Sequence, residues 1–178
     1  GWIDGGVLES GHVSVVEPNE ALRVRAHGLG VRAIASVAEL NPAHVPTLVV
    51  IAVKPQSMAS VLPDYADMAK RGTAFLSVAA GVPMKAYETA LGANAAIVRC
   101  MPNTPAAIGK GMLVYFNNAN VGEALDLFIR ELLACSRLVA KVEDERLLDA
   151  VTAVSGPGPA YVFHFIECLT QAGKDAGL

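Results

Sequence analysis

Residues 48–53 have the sequence LVVIAV and are followed directly by Lys54, Pro55 and Gln56. Six apolar residues without alternation are typical of a parallel strand that helices cover on both faces. On both sides of this run, short β-branched segments alternate with segments whose apolar residues recur at helical spacing. This alternation predicts βαβ units and therefore an α/β fold with a mostly parallel sheet.

The same patterns predict elements along the whole chain. Strands are expected at 13–16, 30–34, 48–53, 73–79, 95–100, 111–117 and 137–142. Helices are expected at 18–27, 57–70, 83–90 and 121–133, with a single helical turn at 36–40. Two further helices, at 143–154 and 161–176, have no strand after them. A helical segment is therefore expected to follow the sheet.

The composition excludes several classes of partner. The 178 residues are 53% hydrophobic and 17% charged, and 14 basic against 17 acidic side chains leave a net charge of −3. Because the sequence has no basic run, it lacks the positive patch that binding to nucleic acid or to an anionic membrane surface requires. No apolar run approaches the roughly 18 residues of a membrane helix, and no signal peptide is visible. Three distant cysteines and four scattered histidines suggest neither disulfides nor a metal site, so a reduced, metal-free cytoplasmic protein is expected.

The first candidate binding stretch follows the strand at 48–53 and consists of Ala52, Val53, Lys54 and Pro55. Open α/β sheets bind their ligands at the carboxyl ends of the strands. Pro55 forces an extended turn, and Lys54 suits a cofactor phosphate or carboxylate. An ordinary strand-to-helix turn with a solvated lysine is the alternative for this stretch taken alone.

The second candidate stretch follows the strand at 73–79. Ala79, Ala80 and Gly81 are small enough for a flat ring to approach the backbone closely, as glycines do in dinucleotide sites. Tight packing of a helix on the sheet explains the same small residues equally well.

Two further stretches contain prolines that fix the backbone. Asn103 and Thr104 stand between two prolines, so a rigid loop presents an amide and a hydroxyl, although both residue types also serve in turns and caps. Ser155, Gly156 and Gly158 alternate with prolines before the last predicted helix. The N–H groups at the start of that helix suit a carboxylate, and a stiff hinge between domains is the alternative.

Taken together and in order, these stretches resemble pyrroline-5-carboxylate reductase, the last enzyme of proline biosynthesis. The similarity covers essentially the whole chain, and four matching segments in one order make it specific. The segments are Ala52-Val53-Lys54-Pro55-Gln56, Ser77-Val78-Ala79-Ala80-Gly81, Arg99-Cys100-Met101-Pro102-Asn103-Thr104-Pro105-Ala106, and Ser155-Gly156 with Gly158-Pro159-Ala160-Tyr161.

The resemblance implies an NAD(P)-binding Rossmann domain at residues 1–154, followed by the start of an all-helical dimerisation domain at 155–178. It implies hydride transfer from NADPH or NADH to the C=N bond of 1-pyrroline-5-carboxylate, which yields L-proline. An oxidoreductase of this kind needs no metal, because a protonated imine is already electrophilic. A homodimer or larger homo-oligomer, assembled through the C-terminal helices, is also implied.

Site residues carry over from the family segment by segment. Ala52–Pro55 and Ala79–Gly81 are expected to line the cofactor, and the loop with Asn103 and Thr104 to lie beside the nicotinamide. Ser155, Gly156 and Gly158 are expected to bind substrate. No catalytic residue is assigned.

In Rossmann domains the preference for NADH or NADPH depends on the residue after the second strand. Glu17 directly follows the strand expected at 13–16. Its carboxylate is expected to accept a hydrogen bond from the adenine ribose 2′-OH and to repel a 2′-phosphate. NADH is therefore expected to serve at least as well as NADPH, unless Pro18 turns the carboxylate to solvent or Arg23 or Arg25 offsets the repulsion.

The chain departs from the family pattern at both ends and at Pro157, where relatives usually have Ser. It begins inside the helix after the family's Gly-x-Gly-x-x-Gly turn, so the first strand is expected to be missing between 13–16 and 48–53. That position is expected to be filled by other residues or by another chain. It ends as the helical domain begins, and a bare fragment of this extent is expected to be inactive.

Two alternatives remain open. One is another Rossmann reductase, of the β-hydroxyacid dehydrogenase type, for which Lys174 is the only candidate catalytic lysine and has surroundings that do not match. The other is a non-catalytic nucleotide-binding relative or an inactive fragment. Oxidation of NAD(P)H in the presence of pyrroline-5-carboxylate distinguishes these possibilities.

Overall fold

The structure, a computed structural model that describes residues 1–178, contains seven strands in two sheets. The strands are β1 (Ser14–Val16), β2 (Arg32–Ile34), β3 (Leu48–Ile51), β4 (Ala74–Ser77), β5 (Ile97–Met101), β6 (Gly111–Asn117) and β7 (Arg137–Lys141). β1 and β2 form a parallel pair, and the other five form one sheet in the order β3-β4-β5-β6-β7. Only the β5–β6 pair is antiparallel. The prediction of a mostly parallel sheet followed by helices is confirmed.

Seven α-helices connect or follow the strands. They are α1 (Glu20–His27), α2 (Met58–Val61), α3 (Ala66–Lys70), α4 (Met84–Leu91), α5 (Glu123–Ala134), α6 (Leu147–Ser155) and α7 (Gly158–Asp175). The single helix predicted at 57–70 is wrong, because a 3₁₀ turn at Leu62–Tyr65 separates α2 from α3. That turn contains Pro63, which lacks an N–H and whose ring clashes with the carbonyl four residues earlier in an α-helix.

The chain reverses direction between β5 and β6. Their connection contains only a short 3₁₀ turn at Thr104–Ile108. Parallel neighbours need a crossover of about a dozen residues or more, so this short loop allows only an antiparallel pair.

Two apolar cores lie on opposite faces of the five-stranded sheet. One includes Phe75 of β4 and Tyr87 of α4, both with 0% exposure, and the other includes Val98 of β5 and Ile129 of α5. Cys100 belongs to the second core, where burial raises the pKa of its thiol to about 12. This thiol stays protonated at neutral pH and contributes as a small apolar side chain.

β3 is an edge strand of the five-stranded sheet, and β1 is not bonded to it. The strand predicted at 48–53 is present as β3. The prediction that helices cover both of its faces is wrong for most of its residues. Leu48, Val49 and Val50 are half-buried, and only Ile51 is buried. The helices pack over the inner strands, so an edge strand keeps part of its surface exposed.

The C-terminal helices differ in how they pack. α6 lies against β5 and β6, whereas α7 contacts mainly α6, and residues 161–170 are all exposed. None of the helices combines the length and the apolar character that crossing a bilayer requires.

Candidate functional site

The carboxyl ends of β3, β4 and β5 lie side by side. Ile51 of β3 is paired with Ser77 of β4, and Ser77 is paired with Arg99 of β5. The structure therefore brings three of the predicted stretches to one edge of the sheet, namely Ala52–Pro55, Ala79–Gly81 and Asn103–Thr104. Edges of this kind are where open α/β sheets bind ligands.

Small, exposed residues form the middle of this edge. Ala52, Ala80 and Gly81 are exposed, and Ala79 is buried beneath them. Gly81 has a φ of +74° with nothing within 4 Å of the position that a Cβ would take. A side chain at Gly81 would strain the backbone and cover this surface. The residues present therefore fit a flat dinucleotide lying against the backbone.

Lys54 and Pro55 lie at the β3 end of the same edge. The backbone of Lys54 is extended, and Pro55 opens a 3₁₀ turn, where its missing N–H leaves no hydrogen bond unmade. Val53 packs against the first core, which anchors the stretch. The Lys54 side chain is exposed and places a positive charge where a phosphate or carboxylate can reach it.

Asn103 has a structural contact that the sequence did not reveal. Its side-chain oxygen accepts a hydrogen bond from the Met112 N–H of β6 at 3.0 Å, which ties the loop to the neighbouring strand. Thr104 begins the 3₁₀ turn, and its side chain is exposed. The loop therefore presents Thr104 from a backbone that Asn103 holds in place.

This contact predicts how two substitutions of Asn103 differ. Asn103→Ala is expected to lower the free energy of unfolding by about 1–2 kcal/mol, because the half-buried Met112 N–H loses its acceptor. Asn103→Asp keeps an acceptor oxygen and is expected to stay within about 0.5 kcal/mol of the parent. Urea denaturation of both variants measures the difference, and equal losses would contradict the contact.

The stretch expected at the substrate lies beside the end of β5. Ser155 ends α6, Gly158 begins α7, and a Cβ on Gly156 would lie 3.3 Å from Cε of Met101. The Ser155 hydroxyl oxygen is buried and has no hydrogen-bond partner in the protein. Buried hydroxyl groups are nearly always paired, so this oxygen is a candidate contact for a polar group of a ligand.

Glu17 lies in the other sheet, directly after β1. Its carboxylate accepts a hydrogen bond from the Asn19 N–H at 2.8 Å, next to the start of α1. Arg23 donates to the backbone carbonyls of Glu17 and Pro18, at 2.9 and 2.6 Å, and not to the carboxylate. The negative charge of Glu17 is therefore fixed at the end of β1, with the Arg23 guanidinium bound beside it.

An ion pair near these strand ends, between buried Arg99 and half-buried Glu145, was not predicted. Arg99, 6% exposed, is the only charged residue in the buried set, and it donates to Glu145, which also accepts from the Met84 N–H at 2.5 Å. The Ser77 and Tyr87 hydroxyls form a buried hydrogen bond of 2.6 Å, and burial raises the pKa of Tyr87, so its hydroxyl stays protonated. An arginine inside an apolar strand is a signal that a partner carboxylate exists.

The chain is similar to pyrroline-5-carboxylate reductases in sequence and in structure. A family model described as pyrroline-5-carboxylate reductase dimerisation matches residues 145–178. The pyrroline-5-carboxylate reductase of Pseudomonas aeruginosa is 41% identical over 131 residues, which cover 74% of this chain and 48% of that protein. The structure of a pyrroline-5-carboxylate reductase from Coxiella burnetii, 28% identical, has a TM-score of 0.90 and covers 99% of this chain and 65% of that one.

A second similar structure contains a cofactor. It is the Plasmodium falciparum pyrroline carboxylate reductase with NADP bound, 32% identical with a TM-score of 0.75, covering 83% of this chain and 55% of that one. The chain thus spans about half of the Pseudomonas relative and less than two thirds of these two structures. The fold shared with them is the Rossmann-type sheet followed by helices.

Proposed function

We propose that the protein reduces 1-pyrroline-5-carboxylate to L-proline with NADPH or NADH, because its sequence and its fold are similar to those of pyrroline-5-carboxylate reductases. This is the final step of proline biosynthesis. The observation that carries the proposal is that the four family segments meet: three leave the ends of β3, β4 and β5, and the fourth lies against Met101.

In this proposal bound NAD(P)H supplies the hydride, and the protein holds the two reactants. The small residues after β3 and β4 let the cofactor lie along the sheet edge, with Lys54 near its anionic groups. Thr104 lies beside the nicotinamide. Its loop is held in place by the hydrogen bond that Asn103 accepts from the Met112 N–H. The Ser155 hydroxyl and the Gly158 N–H, which have no partner in the protein, bind the substrate carboxylate at the start of α7. Holding the imine against the cofactor removes the entropic cost of a bimolecular encounter from the chemical step.

We propose that the chain divides at Ser155 into a cofactor-binding part, 1–154, and the start of a helical dimerisation domain, 155–178. We propose that a second copy of the protein covers α7, in a homodimer or a larger homo-oligomer. We also propose a cytoplasmic location, because all three cysteines are free thiols and reducing compartments preserve thiols.

The experiment is a spectrophotometric assay of NADH or NADPH oxidation with pyrroline-5-carboxylate. It is run on the protein as its gene encodes it and on Gly1–Leu178, with cofactor alone and imine alone as blanks. Imine-dependent oxidation is the expected result for the gene-encoded protein. Cofactor binding without imine-dependent oxidation would favour a non-catalytic relative, and oxidation of NAD(P)H with a keto or aldehyde acid instead would favour the β-hydroxyacid dehydrogenase alternative.

Glu17 is expected to bind the adenine ribose and to determine the cofactor preference. The parent is expected to use NADH at least as well as NADPH, because a carboxylate held at the end of β1 repels a 2′-phosphate. Glu17→Ser is expected to shift the ratio of kcat/KM toward NADPH by about tenfold, which corresponds to about 1.4 kcal/mol.

The control for this prediction is Glu20→Ser, which removes an acidic side chain from the first turn of α1 without touching the end of β1. The ratio of kcat/KM for NADPH and NADH in Glu20→Ser is expected to match that of the parent. A strong NADPH preference in the parent, or an unchanged ratio in Glu17→Ser, would show that Glu17 does not discriminate between the cofactors.

A further inference from the structure

One carboxylate outside the predicted stretches connects three of them. Glu145 Oε1 accepts hydrogen bonds from Arg99 Nη1 and from the Met84 N–H, which lie 46 and 61 residues away in the sequence. Met84 opens α4 directly after the loop that contains Ala79–Gly81, and Arg99 precedes the loop after β5. Glu145 itself lies just before α6, the helix that ends at Ser155. We call Glu145 with these two donors the Glu145 junction.

The members of the Glu145 junction depend on one another. The Arg99 side chain is 8% exposed and that of Glu145 is 30% exposed, and Arg99 Nε has no other partner. A buried guanidinium without a counter-charge is strongly unfavourable, so Arg99 needs Glu145. The N-cap of α4 is Pro83, which provides no side-chain cap, and Glu145 supplies the missing acceptor together with a favourable negative charge.

We propose that Arg99 and Glu145 are positioning residues for hydride transfer. They hold the loop after β4 and the loop after β5 in a fixed relation to the Ser155 turn. The inference rests on the proposed function, because these are the parts proposed to bind cofactor and substrate. Neither side chain is among the proposed cofactor contacts. Their loss therefore changes the alignment of the reactants, and with it kcat, more than it changes the affinity for the cofactor.

Two double variants separate alignment from stability. Arg99→Met/Glu145→Leu removes both charges, and replacing such an ion pair by apolar side chains is often neutral. Its thermal midpoint is therefore expected to fall by only about 2–4 °C, the cost of the acceptor that the Met84 N–H loses. Its kcat at saturating cofactor and imine is expected to fall by about 10- to 100-fold, because a displacement of about 1 Å in reacting groups costs about 100-fold and a smaller one costs less. The Kd for NADPH, from fluorescence titration, is expected to stay within about threefold.

Arg99→Met/Glu145→Gln also removes both charges but keeps an amide oxygen for the Met84 N–H. Because the bond to Arg99 is still lost, its kcat is expected to lie between that of the Leu double variant and that of the parent. The matched control is Asp144→Asn, which breaks an exposed ion pair with Arg146 in the same loop and touches neither Met84 nor Arg99. Its kcat, Kd and thermal midpoint are expected to equal the parent's.

Amide hydrogen exchange without cofactor provides a readout that does not depend on turnover. The Met84 amide is expected to exchange faster in the Leu double variant than in the parent, and to remain protected in the Gln double variant. If the Leu double variant keeps the full kcat of the parent, or if its Met84 amide exchanges at the parent's rate, the positioning role of Arg99 and Glu145 is wrong. The proposed function would stand in that case, and the ion pair would have a structural role only. A gene-encoded parent without imine-dependent turnover would overturn the proposed function, and this inference with it.

Discussion

In the Gly111→Ala variant, the thermal midpoint is expected to fall by about 3–10 °C, because overpacking a closely packed core costs about 1–3 kcal/mol. The added Cβ would lie 2.7 Å from both Cα and Cβ of Ala106 and 2.9 Å from its backbone nitrogen. Gly111 is buried at the start of β6, and its N–H donates to the Ser136 carbonyl at 2.8 Å. The strand cannot move away without losing this bond, so the loop must move.

The displaced loop is the one that carries Asn103 and Thr104. Because a shift of about 1 Å in reacting groups reduces rates by about 100-fold, kcat/KM of the gene-encoded protein is expected to fall by that order. Thermal melts and steady-state kinetics with pyrroline-5-carboxylate measure both effects.

Gly11→Ala is the control for this variant, since nothing lies within 4 Å of its Cβ position and its φ is ordinary. It is expected to match the parent in thermal midpoint and in kcat/KM. A Gly111→Ala variant that behaves like Gly11→Ala would contradict the close packing of the loop on β6.

Local sequence patterns were sufficient to predict most elements of the fold. The segments at 48–53, 73–79 and 95–100 are each a short run rich in apolar residues, and each contains a strand in the structure. A pattern of this kind is local, so it can be recognised without the tertiary arrangement. Where the prediction failed, the cause was a specific residue or a length. Pro63 interrupts the helix expected at 57–70. The sheet was expected to be mostly parallel, and the short connection after Met101 explains why β6 is the exception.

The position of the candidate site was predictable, but its internal contacts were not. Parallel strands end at one edge, so three loops after neighbouring strands must lie together. Glu145 stands among other acidic residues with no local feature that distinguishes it, and its partner Arg99 lies 46 residues earlier. The bond from Met112 to Asn103 exists only because β6 runs antiparallel to β5. Contacts of this kind depend on the tertiary arrangement.

α7 presents a large exposed apolar surface. Six large apolar side chains of this helix are more than half exposed. They are Tyr161 (68%), Val162 (56%), Phe163 (66%), Phe165 (66%), Ile166 (52%) and Leu169 (62%). At 100° per residue they cover a broad sector of the helix, which is wider than the stripe of a helix packed on one surface. Such a helix is typical of the interior of a helical assembly.

Phe165→Asp is therefore expected to weaken self-association of the gene-encoded protein by about 100-fold or more. Full burial of a phenylalanine side chain contributes about 1.5–3 kcal/mol, and burial of an unpaired carboxylate adds a further cost. Sedimentation velocity over a range of protein concentrations measures the change. The control is Gln171→Lys, which alters a polar residue on a different side of the same helix and is expected to leave the assembly unchanged.

The same variant connects assembly to the proposed activity. α7 begins at Gly158, two residues after Gly156, so a displacement of α7 that follows the loss of its partner helices is transmitted to the Ser155 turn. Turnover is expected to fall together with the loss of the oligomer and to recover at protein concentrations where the Phe165→Asp variant reassociates. A monomeric Phe165→Asp variant with full turnover would show that the Ser155 turn is held without the partner copy. A parent that is itself monomeric at all concentrations would contradict the proposed assembly through α7.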